Sequence, residues 1–107
     1  MYAHERGVLN RITKGLRERF PKRIEGIYVF GSKARGDHGE WSDFDVLVVV
    51  KDRNPPIEQA IISLFVEEEL LSGLLFTPLI KDLKAFESEK RFNTPFYENL
   101  TREGIAL

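Results

Sequence analysis

Two carboxylates, Asp43 and Asp45, stand two positions apart just ahead of the apolar run Val46-Leu47-Val48-Val49-Val50. In an extended strand, residues i and i+2 project from the same face, so the acids share one side. At roughly 5 Å and an effective dielectric near 20, two such charges repel by about 3 kcal/mol. A cation between them, or a proton on one of them, relieves that repulsion. Mg2+ takes hard oxygen donors and is commonly held by one or two carboxylates together with substrate phosphates. Upstream, Gly31-Ser32-Lys33-Ala34-Arg35-Gly36 follows the β-branched and aromatic stretch Ile24–Phe30. A glycine directly after a strand lets backbone approach a phosphate closely. Ser32 offers a hydroxyl, and Arg35 can close a charge-assisted fork on a phosphate or on a carboxylate of the same site. If a helical turn starts at Ser32, its free N–H groups add an anion seat. A phosphate seat and a Mg2+ seat on one strand–loop–strand unit describe a nucleoside triphosphate site. Taken singly, each piece is commonplace: Gly-Ser after a strand is usually a turn, and Asp-x-Asp is usually surface charge.

Taken together, the pieces carry more. With Gly31-Ser32, ten intervening residues and then Asp43-x-Asp45, the chain resembles the polymerase-β-like nucleotidyltransferases. Ala34-Arg35-Gly36, and Ser42 ahead of the first acid, are similar to the minimal nucleotidyltransferase branch that includes the MntA-type antitoxins. The resemblance extends over essentially the whole chain. It implies an α/β (α+β) fold with a small mixed sheet and flanking helices. It also implies nucleotidyl transfer by a two-metal scheme, in which a hydroxyl attacks the α-phosphorus, pyrophosphate leaves, and the ions stabilise the attacking and leaving oxygens. On this reading Asp43 and Asp45 are the catalytic Mg2+ ligands, Gly31 and Ser32 hold the β,γ-phosphates of ATP, and Arg35 assists. The acceptor implied is a tyrosine on a HEPN-type toxin, silenced by adenylylation.

One departure weakens the implied catalysis. The resemblance calls for a third carboxylate on the strand beside Asp-x-Asp, which should be Leu74-Leu75-Phe76-Thr77-Pro78-Leu79-Ile80, and that stretch holds no Asp or Glu. Thr77 is its central polar residue. Asp82 is the nearest acid beyond it, and Glu67, Glu68 and Glu69 on the preceding helix are expected to face solvent. The alternative function is therefore a degenerate nucleotidyltransferase-fold module that neutralises a partner by complex formation. Transfer to a small hydroxylated molecule, as in aminoglycoside nucleotidyltransferases, ranks third, because those enzymes usually carry an additional substrate domain.

The elements that must position these residues are legible in the apolar pattern. Val8, Ile12, Leu16 and Phe20 recur every four residues, which predicts a helix over about 3–19, stopped by Pro21. Ile24–Phe30 reads as a strand. The continuous run through Val50 predicts a central strand over 43–50, covered on both faces. Asn54-Pro55-Pro56 supplies an N-cap and helix-starting prolines. Ile57, Ala60, Ile61, Leu64, Phe65 and Leu71 then line one helix face, and Gly73 ends it. Leu74–Ile80 reads as a third strand, placed near an edge or a bulge by Pro78. Residues 82–90 read as a helical turn, and Thr94-Pro95 as the start of a last helix that finishes before Gly104.

At 107 residues the length predicts one domain, 1–107, and a chain of this size buries roughly 65% of its unfolded surface. Absence of cysteine excludes a disulfide scaffold and thiolate metal sites, and fits a reducing compartment. No apolar run reaches the ~18 residues of a membrane span and the first residues are polar, so a cytoplasmic location without membrane contact is expected. A net charge of −1 argues against a duplex nucleic-acid binder. Arg11, Lys14, Arg17, Arg19, Lys22 and Arg23 read first as a solvated helix face and second as a docking surface for an acidic partner. Self-association is left open. His4 is assigned no role; His38 and Trp41 read as loop residues before substrate contacts. Phe92, Phe96, Tyr97 and Leu100 serve equally well as a core cap or a partner patch.

Overall fold

The computed structural model describes residues 3–30 and 43–107. Its elements run α1 (Ala3–Arg19), β1 (Ile24–Phe30), β2 (Phe44–Val50), α2 (Pro55–Ser72), β3 (Phe76–Asp82), α3 (Leu83–Phe92), α4 (Pro95–Glu103) and β4 (Ile105–Ala106). The strands form one sheet in the order β3-β2-β1-β4. β1 is antiparallel to both β2 and β4, whereas β3 is parallel to β2. This is the mixed α/β sheet with flanking helices that the sequence implies.

β2 lies between two neighbours and is covered on both faces, as its unbroken apolar run requires. Phe44, Val46, Val48 and Val50 join the larger core, built from Val8, Leu9, Ile12 and Leu16 of α1 and Ile57, Ile61, Leu64 and Phe65 of α2. Leu47 and Val49 point the other way, into a smaller core closed by Leu100, Tyr28, Phe30, Leu83, Phe86 and Phe96. The C-terminal residues therefore divide: Phe96 and Leu100 cap the sheet, while Phe92 remains 72% exposed. β3 is an edge strand, where the missing N–H of Pro78 is tolerated.

The caps of α2 are those expected. Asn54 accepts from the Ile57 N–H at 2.9 Å, Pro55 and Pro56 open the helix, and Gly73 takes the left-handed φ of 77° that ends it. Leu71 departs from its expected place on the buried face and is 76% exposed. Residues 83–92 form a full helix rather than a single turn, because Asp82 caps it through the Lys84 N–H at 3.0 Å and Asn93 closes it. Glu68 also departs from expectation. It is 8% exposed and accepts from Arg11 Nε and Nη2 at 3.0 and 2.6 Å, a bidentate pair that locks α1 to α2. Glu67 is exposed, where Arg19 reaches it at 3.4 Å.

Candidate active site

Asp45 is the cross-strand partner of Phe30, the last described residue of β1. In the parallel ladder its neighbour is Thr77. Strand alternation puts Asp45 on the side of Leu47 and Val49, facing the smaller core. Asp43, exposed and just ahead of β2, turns to the same side, because its Oδ2 accepts the Thr77 hydroxyl at 3.0 Å. The sequence-derived pairing of the two acids on one face thus holds in the structure. Gly31, Ser32 and Arg35, and with them His38, Trp41 and Ser42, lie outside the described residues.

The two acids are not equivalent. Burial, and then the negative charge of Asp43, hold the Asp45 carboxyl above the ordinary carboxylate range; both influences oppose a second negative charge here. Lys81, four residues along β3, pairs with Glu89 at 3.0 Å and lies 4.4 Å over the Phe96 ring. Its charge is engaged away from the acids. Two hard oxygen donors on one face fit a divalent cation. Among the described residues, no group of three or more His, Cys, Asp or Glu side chains could hold a metal ion.

Thr77, on the strand where a third acid is expected, lies beside Asp45 in the parallel ladder. Asp82 lies at the far end of β3, opposite Val50, and accepts from the backbone N–H groups of Arg53 and Lys84 at 2.9 and 3.0 Å. Those bonds hold its carboxyl below the ordinary range, and it caps α3 rather than serving the acid pair. Glu69, expected to face solvent, accepts from the Phe76 N–H at 2.9 Å, while the Phe44 N–H donates to the Leu75 carbonyl at 2.9 Å. These contacts pin the start of β3 against β2 and so set Thr77 beside Asp43. A lone glutamate in a charged run carries no sequence signal for such a role.

The raised Asp45 carboxyl has a measurable consequence. The folded chain holds that proton more tightly than the unfolded chain does, so ionising it costs the fold. Stability without metal should fall as pH rises from the ordinary carboxylate value through the raised one, and stay level above it. Asp45→Asn should lack this slope and raise the metal-free melting midpoint at pH 7 slightly. Thermal melts of both proteins across about pH 3.5–7 check it; parallel curves would count against a raised Asp45 carboxyl.

Comparison with known proteins agrees with this geometry. The model of the nucleotidyltransferase domain family matches residues 9–105. A "putative protein adenylyltransferase" of Methanocaldococcus jannaschii is 29% identical over 104 residues, covering 97% of this chain and 98% of its own. The crystal structure of a nucleotidyltransferase from Sulfolobus solfataricus, so described on a provisional basis, superposes with a TM-score of 0.53 at 28% identity, over 80% of this chain and 70% of that one. A mutant of the toxin–antitoxin MntA-HpeT superposes with a TM-score of 0.57 at 25% identity, over 92% and 70%. With a family match that runs from the middle of α1 to β4, the chain belongs to the nucleotidyltransferase domain family.

Proposed function

We propose that this protein uses Mg-ATP to transfer AMP to a hydroxyl of a partner protein, with a HEPN-type toxin as the partner and an antitoxin role as the outcome. The observation that carries the proposal is the placement of Asp43 and Asp45 on one face at the end of β2, where burial and then the charge of Asp43 raise the Asp45 carboxyl. A relative described as a protein adenylyltransferase, similar along nearly the full length of both chains, supports protein as the acceptor. The toxin–antitoxin neighbour supports the kind of partner.

On this reading Asp43 and Asp45 hold Mg2+, which when bound neutralises charge on the phosphates and the attacking oxygen. Gly31 and Ser32, next in sequence after the residue that pairs with Asp45, hold the β,γ-phosphates, and Arg35 offers a further donor to them. The acceptor oxygen bonds to the α-phosphorus as the bond to the pyrophosphate oxygen breaks, and the acceptor proton passes to solvent. Incubation of the protein with labelled ATP, Mg2+ and a helical partner encoded beside it should label a tyrosine of that partner. Unlabelled partner, with the two proteins still co-purifying, would sink the transferase reading.

A second reading is favoured by the neutral Thr77 at the third position and by the absence of a three-acid group among the described residues. In it the domain neutralises its partner by complex formation alone. Relief of toxin growth arrest by a variant lacking both aspartates would select this reading over the first.

A further inference from the structure

Thr77 adjoins both acids at once. The parallel register sets it opposite Asp45, and its hydroxyl donates to Asp43 Oδ2 at 3.0 Å. An ionised carboxylate only accepts, so the direction of this bond is fixed. It uses one acceptor direction on Oδ2 and leaves Oδ1, with the rest of Oδ2, for another donor or a cation. The side chain making it is stiff: β-branching restricts χ1 of threonine. The backbone below is stiff as well, since Leu75 and Phe76 are tied to Phe44 and Glu69. Asp43 has the opposite situation, exposed and one residue outside β2. Left alone, its carboxylate would sample several rotamers, and binding a cation would require ordering them.

We infer that Thr77 is a positioning residue for the cation site: through Asp43 it presets the carboxylate toward a divalent ion shared with Asp45. A hydroxyl is suited to this because it orients Asp43 without adding to the negative charge that already burdens Asp45. The inference rests on the proposed function insofar as that reading gives the acids an ion to hold. Groups that orient ligands in this way typically change metal affinity 10–100-fold when removed.

The test is calorimetric titration of Mn2+, without nucleotide, into the wild type, Thr77→Ser and Thr77→Val. Valine keeps the shape and suits an exposed strand position, so the fold should persist; Thr77→Ala, titrated alongside, covers the case in which it does not. Serine should bind within about threefold of wild type, and valine and alanine about 10-fold more weakly or worse. In transfer assays the loss should appear as a raised Mg2+ requirement, with the rate at saturating Mg2+ nearly kept. Equal affinity in the wild type and the valine or alanine variants would overturn the inference while leaving the metal site standing. Serine as weak as valine would overturn it too, because the methyl group and not the hydroxyl would then matter. A wild type that takes up no Mn2+ would overturn the ion-binding reading, and the inference with it.

Discussion

Asp43→Asn combined with Asp45→Asn should abolish both the heat protection conferred by Mg-ATP and the transfer of label to a partner, with transfer falling by at least about a thousandfold. Asparagine has nearly the shape of aspartate, so what is removed is charge. The two carboxylates supply two hard anionic donors on one face. Mg2+ gives up its water reluctantly and needs such donors, with phosphates completing its shell. Removing several kcal/mol of ion-mediated stabilisation accounts for a loss of this order, at 1.36 kcal/mol per tenfold. The fold should not suffer: the Asp45 carboxyl is raised by burial and by Asp43, so the metal-free variant should melt at or above the wild type. That sign separates a lost site from a lost structure. Differential scanning fluorimetry at millimolar Mg-ATP, run beside the labelling assay, reads both quantities. A double variant still protected by Mg-ATP would show that the nucleotide is held elsewhere.

The fold was legible where one residue pattern had one physical meaning. Ile24–Phe30 was bounded by Arg23 on one side and Gly31 on the other, and β1 has those ends. The Asn54-Pro55-Pro56 start of α2 was readable because a cap acts locally. β4 was not, since two residues carry no periodicity; it exists only because Ile105 and Ala106 find Val29 and Tyr28 on the open edge of β1. Glu68 was misplaced for a related reason. Its partner Arg11 lies 57 positions away, and a buried glutamate becomes acceptable only once that guanidinium is present. The apolar Leu74 and Leu75 predict a strand from residue 74, whereas the ladder with β2 starts at Phe76.

The candidate site shows the same division between local and long-range information. That Asp43 and Asp45 share a face follows from strand periodicity alone, and the structure agrees. That Thr77 holds Asp43 depends on a parallel register between strands joined by an entire helix, and no local pattern encodes it. The Gly31-Ser32 half of the signature carried much of the resemblance to the family yet lies outside the described residues. Its phosphate-holding role remains part of the proposal, and the Asp43/Asp45 half carries the structural argument.

Phe44 lies between the two acids in sequence and beneath them in space, and its removal should cost the most stability of any single change near the site. The side chain is fully buried, on the face opposite Asp43 and Asp45. Its ring centroid is 5.8 Å from that of Phe76, which in turn is 5.7 Å from that of Phe65. This aromatic row joins β2, β3 and α2 under the acid pair. Phe44→Ala would open a cavity that close-packed neighbours fill only in part, at a cost of about 3–5 kcal/mol. Small domains have roughly 5–15 kcal/mol to lose, so the melting midpoint should drop by roughly 15 °C or more. Phe44→Leu, which keeps most of the apolar volume, should lose about 1–2 kcal/mol and still bind Mn2+, because the backbone that carries the acids remains pinned by the Leu75 carbonyl. Set beside the aspartate variants, Phe44→Ala separates support from ligation: the aspartate variants keep the fold and lose the ion, whereas Phe44→Ala loses the fold first. Urea unfolding of the three proteins, with Mn2+ titration of those that remain folded, measures both. An alanine variant melting within about 3 °C of the wild type would mean that the acids stand on something other than this aromatic row.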